Sequence, residues 1–301
     1  MHSRTAIRLS AADRVFHLFN YIFLALCFMI IAVPLMNLVS QSLSSAPNVF
    51  AGKVLIWPMN PSLEGYSRIL RNKGIVGGFI NSSMIVVGGT AISVTMTILA
   101  AYPLSRKTLV GHRLFMWLFT FTMLFGAGLI PMYMLIQSLG MIDSLWSLMI
   151  PNAVGAWNVI ITKTFFENTI PDDLYDAANI DGCSDLRTFW SIVLPLSKPI
   201  VAIMVLYSAV GLWNNYFDSM IYLQSSSKFP LQLVLRNIMT SSTIQASMTN
   251  FSSMEDNRAR LAMIEVMKYA VIVLSSLPMI AIYPFVQKYF VKGIMIGAVK
   301  G

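Results

Sequence analysis

The chain has 301 residues, of which 56% are hydrophobic and 11% charged, with a formal net charge of +8. A soluble domain carries about 25% charged residues, so this chain has too few to cover a surface facing water, and a membrane protein is expected. The positive balance would suggest nucleic acid in a soluble protein, but here the basic residues fall mostly between apolar runs, where they set topology and meet lipid headgroups, and no nucleic-acid partner is expected.

The first fifteen residues carry Arg4, Arg8 and Arg14 and read as a tail. An apolar stretch, 16–39, follows. The apolar core of a secretory signal is about 7–15 residues long. This stretch meets the length of about 20 that a bilayer requires, so a retained first helix is expected. Further spans are expected at 79–102, 114–136, 145–165, 199–222 and 268–287, making six in a membrane domain over 16–287. Pro151, Asn152, Trp157 and Asn158 interrupt the fourth. Between the spans lie long loops at 40–78 and 223–267, neither of which reads as a large folded domain. Short loops fall at 103–113 and 137–144, a polar loop at 166–198, and a tail at 288–301.

In the second span Gly89, Ser93 and Thr97 recur at helical spacing, a close-packing face against another helix. Cys27 sits in an apolar run and Cys183 in a polar loop. Their different depths argue against a disulfide, and no CxxC or Cys/His cluster suggests a metal.

Lys and Arg near the span ends set orientation. Arg4, Arg8 and Arg14 precede the first span, Arg106, Lys107 and Arg113 follow the second, and Lys288, Lys292 and Lys300 follow the last, whereas the loop around Asp143 has none. Both termini and the 166–198 loop are therefore expected in the cytoplasm. Arg68, Arg71, Lys73, Arg258 and Arg260 lie in the long loops, which translocate largely regardless of charge.

The 166–198 loop is the most patterned part of the chain. Pro171 suits the start of a helix, and Asp172 and Asp173 favour its positive end. Leu174, Ala177 and Ala178 then form one short apolar face. Gly182 breaks the pattern, and Ser184 can cap a second helix. In that helix Leu186, Phe189, Trp190 and Val193 form an amphipathic stripe, ended by Pro195 and Pro199. Two short helices joined by a glycine turn are expected. An amphipathic hairpin could rest on lipid, but Asp172, Asp173, Asp176, Asp181 and Asp185 outnumber Arg187 and Lys198. A small-residue face with an acidic flank suits docking into a protein groove.

Asp176-Ala177-Ala178, Asp181-Gly182, Phe189, Ile192, Leu194-Pro195 and Pro199, in this order and spacing, resemble the EAA loop of ABC importer permeases. Asp176 stands where that family usually has Glu, and Cys183 where it often has Ala. The resemblance extends over most of 75–301. Gly128-Leu129-Ile130-Pro131, Tyr133 and Leu139-Gly140-Met141-Ile142-Asp143-Ser144 look like the third-span region of carbohydrate-uptake permeases, and Leu212-Trp213-Asn214-Asn215-Tyr216-Phe217 like their fifth span. The ending, from Lys288-Tyr289-Phe290-Val291-Lys292-Gly293 to Gly301, is similar to the smaller, maltose-type subunit. Trp157-Asn158 is similar to the polysaccharide-fragment branch, which includes uronate polymers such as alginate.

The resemblance implies an all-α membrane protein with the type I ABC importer permease fold and a cytoplasmic coupling helix. It implies that Asp173, Leu174, Asp176, Ala177, Ala178, Asp181 and Gly182 couple to an ATPase, and that the C-terminal residues Gly297, Lys300 and Gly301 reach it. The implied partners are a homologous second permease, two ATPase subunits and an extracytoplasmic saccharide-binding protein, in a bacterial inner membrane. No G-x-x-x-x-G-K-[ST] run is present, so ATP and Mg are expected on the ATPase subunits, with no cofactor on this chain. No Ser/His/Asp set, nucleophile elbow or paired metal ligands suggest an enzyme, and His2, His17 and His112 look structural.

Polar residues within spans usually face a pathway or a partner helix. The fifth span has the densest set: Trp213, Asn214, Asn215, Tyr216 and Asp218, with Asn214 and Asp218 expected on one face. Tyr133 with Gln137, Asn81, and Trp157 with Asn158 are further candidates. Amides satisfy sugar hydroxyls and rings stack on sugar faces, whereas an ionised Asp218 would disfavour an anionic solute. Interhelical hydrogen bonding and an aromatic belt account for the same residues without a solute. An ABC permease for an amino acid, peptide or phosphate, and a secondary transporter needing no ATPase, are the alternatives.

Overall fold

A computed structural model describes residues 10–248 and 254–298. Among them the chain is helical, with no β-strand beyond a single bridge between Ser44 and Pro61. It divides into two compact units, one of residues 1–69 and 241–274, the other of 70–240 and 275–301.

In the first unit, α1 (Ala11–Ser42) is mostly apolar and turns that surface outward, as a helix in lipid does. The Asp13 carboxylate accepts the backbone N–H of Ser10 at its start. Near its other end the Asn37 amide donates to the carbonyls of Val54 (3.2 Å) and Leu55 (2.6 Å), and the Ser40 hydroxyl donates to that of Ile56. The expected 40–78 loop is thus pinned to α1. It contains α2 (Ala46–Phe50) and α3 (Glu64–Arg71). Val49 and Val54 pack with Val266 into a small core.

The second unit is built on α4 (Lys73–Ser105), a 33-residue helix capped by the Asn72 side chain, which accepts from Gly74 N and Ile75 N. It begins six residues before the span expected at 79. Ser82, Gly89, Ser93 and Thr97 form a row of small residues that allows close approach. A Cβ on Gly89 would lie 2.7 Å from Leu212 Cδ1, and Ser93 and Ser208 share a hydrogen bond of 3.1 Å.

Three expected spans are broken. The third becomes α5 (His112–Leu124) and α6 (Leu129–Ser138), bent by 113°. Gly128 turns the chain there with φ +82°, which the missing Cβ allows. The fourth becomes α7 (Trp146–Met149) and α8 (Ala156–Thr169) around Pro151 and Asn152. The fifth becomes α12 (Lys198–Asn214) and α13 (Phe217–Tyr222), interrupted at Asn215 and Tyr216. By length and composition, three helices among the described residues can cross a membrane, or up to five if each bent pair is one span. The second bent pair is the 78° turn from Asp185–Leu196 into α12.

The 223–267 segment, expected as a loop, contains α14 (Leu231–Met248), and α15 (Met254–Ala298) begins within it. Ser and Thr carry weak helix propensity, but α14 is anchored at its start, where Leu231 N donates to the buried Ser82 Oγ at 2.9 Å. α15 also continues past residue 287 into the expected tail. The second unit holds two buried apolar clusters. One, near the Ser105 end of α4, includes Ile98, Leu104, Phe166, Tyr175, Phe189 and Val193. The other includes Ile85, Ile136, Leu148, Met149 and Tyr222.

Candidate functional site

The 166–198 segment forms the expected hairpin. Pro171 sits at the N-cap of α9 (Asp172–Ile180), with Asp172 and Asp173 in the first turn. Gly182 adopts φ +72°, and the turn closes through Cys183 N donating to Ala178 O at 2.9 Å. The Ser184 hydroxyl accepts from Arg187 N and starts α10 (Asp185–Thr188). A π-helical turn, Phe189–Val193, and α11 (Leu194–Leu196) then lead to α12. Both cysteines are free.

Two faces differ from the expected pattern. Ala178 does not share a free face with Leu174 and Ala177: it is buried with Tyr175, three residues earlier, against the bundle. Leu174, Ala177, Asp173, Asp176 and Asp181 are exposed, and Ile180 is 87% exposed. The second stripe also divides. Phe189 and Val193 are buried, while Leu186 and Trp190 are 72% and 61% exposed. The wider π turn shifts the phase of the helix, so an i, i+3, i+4 stripe cannot stay on one side. The exposed surface therefore carries Leu174, Ile180, Leu186 and Trp190 beside its acids.

The end of α4 holds both limbs of the hairpin. The Arg106 guanidinium lies 3.4 Å from the centre of the Tyr175 ring. Burial pushes the Tyr175 phenol above its ordinary pKa, with Arg106 opposing. One turn before Arg106, Tyr102 packs on Phe189 with ring centres 4.8 Å apart and on Phe166 at 6.5 Å.

Farther along α4 is a cavity of about 270 Å³. Its polar wall consists of Ser93, Asn152, Asn158, Tyr207, Ser208 and Asn215, and Gly89 and Gly211 also line it. The Asp218 carboxylate accepts from the amides of Asn152 (3.0 Å) and Asn215 (2.7 Å). The Asn215 side-chain oxygen Oδ1 in turn accepts from Asp218 N at 3.1 Å. The break in the fifth span is thus capped, and it joins the α7–α8 connection to the start of α13.

Of the expected path residues, Asn158 and Asn215 line the cavity and Asp218 orients two amides beside it. Trp213 does not line it: it is buried, stacks edge-on against Phe79 and donates its indole N–H to Ser275 O at 3.0 Å. Burial of so large a ring on an interhelical face explains the difference. Asn214 donates back to Val210 O, and the helix break separates its face from that of Asp218. Tyr216 is half-exposed beneath Arg236, 5.9 Å from its ring. Tyr133 stacks on Tyr222 within the second apolar cluster. Trp157 and Gln137 are exposed, and Asn81 is engaged with the carbonyls of Ser227 and Phe229.

Sequence pattern did not single out Arg106, Tyr175, Asn152 or Ser208 for these roles. It also missed a clasp at Asp143. Its carboxylate accepts from Ser225 N, Ser225 Oγ, Gln224 N and Lys228 Nζ, the last at 2.8 Å. A positive φ of 55° at a non-glycine residue marks the position. Gly297 lies in the last turn of α15, and Lys300 and Gly301 lie outside the described residues.

Comparison with known proteins agrees with this architecture. The chain is 39% identical over 96% of its length to the polygalacturonan/rhamnogalacturonan transport system permease protein YtcP of Bacillus subtilis (strain 168), covering 99% of that protein. It is 29% identical over 94% of its length to the galactooligosaccharides transport system permease protein GanQ of the same organism, covering 95% of it. The structure resembles a chain from a bacterial ABC transporter involved in the import of the acidic polysaccharide alginate, with TM-score 0.83 and 31% identity, covering 95% of this chain and 100% of that one. Residues 93–296 match a family described as the binding-protein-dependent transport system inner membrane component. The fold and the long relatives bear out the resemblance carried by the EAA-like hairpin, and the chain belongs to the family of inner-membrane components of binding-protein-dependent transport systems.

Proposed function

We propose that this chain is one of two homologous, non-identical permease subunits of an ATP-driven importer for oligosaccharides and polysaccharide fragments. The cavity wall carries this reading: three amides and three hydroxyl groups surround one space, a set that matches sugar hydroxyls as both donor and acceptor. The names of YtcP and GanQ support the substrate class. Fragments containing uronates, like the acidic polymers named for two of the relatives, belong to the proposed range. Asp218 does not itself line the cavity; it holds the Asn152 and Asn215 amides that do.

In this reading residues 1–15 and the tail from 288 are cytoplasmic, 16–287 is the membrane domain, and the acidic hairpin docks on one of two ATPase subunits that hold ATP and Mg. Asp173, Leu174, Asp176, Ala177 and Asp181 present the docking surface, Gly182 sets its turn, and Ala178 seats the helix on the bundle. The C-terminal residues Gly297, Lys300 and Gly301 reach the ATPase pair. A binding protein outside the membrane delivers the saccharide. The test is uptake by the complete transporter in liposomes, with internal ATP and a panel of neutral and uronate oligosaccharides, amino acids, peptides and phosphate. Saccharide uptake that depends on ATP and on the binding protein is expected. Uptake of only the other solutes, or uptake by this chain without an ATPase, would sink the reading.

A further inference from the structure

One long helix, with Pro103 in its last turn, joins the hairpin to the cavity. α4 contributes Gly89 and Ser93 to the cavity wall, and Arg106, the residue that caps its far end thirteen positions beyond Ser93, lies on Tyr175. At 1.5 Å per residue, the two points lie about 20 Å apart along the helix axis. Tyr102 and Arg106, one turn apart, touch both limbs of the hairpin: Arg106 meets Tyr175 in α9, and Tyr102 meets Phe189 in the π turn. The hairpin is continuous with α12 through the backbone, so it displaces α12 directly. Its link to α4 runs through these two side chains and the buried apolar cluster beneath them. α12 supplies the opposite wall, with Tyr207, Ser208 and Gly211, and Ser208 bonds Ser93.

We propose that Arg106 is a positioning residue for transport: by clamping Tyr175 it makes α4 move with the hairpin, so that ATPase closure shifts both walls of the cavity together. This rests on the reading of the chain as an importer permease. A planar guanidinium over a buried ring is suited to the task. It resists sideways slip by stacking and stays charged. Lysine retains the charge and part of the attraction but not the stacking plane. In the absence of the clamp, α9 would lose its hold on the end of α4, a push on the hairpin would reach α4 only through Tyr102 and the apolar contacts around Phe189, and the Ser93–Ser208 seam would be strained.

The test uses the complete transporter, with Cys27 and Cys183 replaced by serine and a single reporter, Ser93→Cys, in the cavity wall. The probe is Mg-ATP, and the readout is the rate at which a thiol reagent labels the reporter. We expect Mg-ATP to change that rate when Arg106 is present. The change should be reduced in Arg106→Lys and reduced much further in Arg106→Ala, with the ATPase subunits still co-purifying in full. Tyr175→Leu alone should reduce the change as far as Arg106→Ala does, and adding it to Arg106→Ala should remove nothing more. An unaltered ATP response in Arg106→Ala overturns the proposal. So does a loss that follows loss of the ATPase subunits in proportion, which would make Arg106 part of docking only. If the reporter transporter with Arg106 intact binds no ATPase and shows no ATP response, the importer reading itself fails, and the coupling with it.

Discussion

The hairpin and the cavity both meet α4 but are built by opposite means. The hairpin is assembled from neighbours: a proline start, acidic first turn, left-handed glycine and serine cap all fall within fourteen residues of sequence. The cavity is assembled from strangers. Asn152 and Asp218 are 66 residues apart, and Ser93 and Ser208 are 115 apart. A local device can be pushed as one body, which is what coupling needs. A composite wall changes shape whenever its supports shift against one another, which is what alternating access needs.

Lesions of the two regions should therefore differ in kind. The largest effect is expected from Ala178→Phe. Ala178 is buried beneath α9, and overpacking costs about 1–3 kcal/mol while lifting the helix. Transport in vesicles should fall to background with the amount of protein in the membrane unchanged by immunoblot. Full transport at normal expression would show that α9 is not seated on the bundle as described.

Next comes Asp218→Ala, which releases the Asn152 and Asn215 amides. Hydrogen bonds to a charged group are worth about 1.5–3 kcal/mol each, so the apparent KM for saccharide should rise about tenfold or more. Asp218→Asn should recover part of it. A loss confined to maximal rate would place Asp218 with the coupling machinery and blur the comparison.

Asp143 offers a gentler probe. Its carboxyl is held well below the usual carboxylate range, first by the hydrogen bond from Lys228, then by Ser225 and the backbone amides of Ser225 and Gln224. A depressed folded-state pKa contributes stability above the unfolded value of about 3.9, lost as pH falls through the folded value. The clasp should therefore hold across the mildly acidic range. Asp143→Asn should lower the unfolding temperature of the purified protein by the same interval at neutral pH and at pH 5. An interval that narrows by pH 5 would mean the carboxylate titrates there and the clasp is weaker than its geometry indicates.

The smallest effect is expected from Gly182→Ala. No atom lies within 4 Å of the position a Cβ would take. The cost is only that of a left-handed conformation, about 1 kcal/mol. Coupled ATP hydrolysis should fall less than tenfold. Abolition would reveal a close approach by another subunit at this turn.

What could be read from the chain follows the same division. The hairpin was legible because capping, glycine turns and acidic first turns are decided by residues a few positions apart. Even so, the π turn at Phe189–Val193 altered which side chains face inward, since a local change of helical pitch is not recorded in an i, i+3, i+4 spacing. In the fifth span the polar residues were recognised as a group but not sorted. Trp213 went to an interhelical seam and Asn215 to the cavity, because the break at Asn215 and Tyr216 sends neighbouring residues in different directions.

The sequence by itself determined that this is a membrane protein, that an acidic hairpin interrupts it, and which family that hairpin belongs to. These follow from composition and from short-range spacing, which survive any arrangement of the spans. Only the tertiary structure decided that a row of small residues on α4 is also a cavity wall, that Asn152 joins Asp218, and that Arg106 closes on Tyr175. Each is a meeting of side chains brought together by helix packing, and no local pattern records which distant residue will stand opposite.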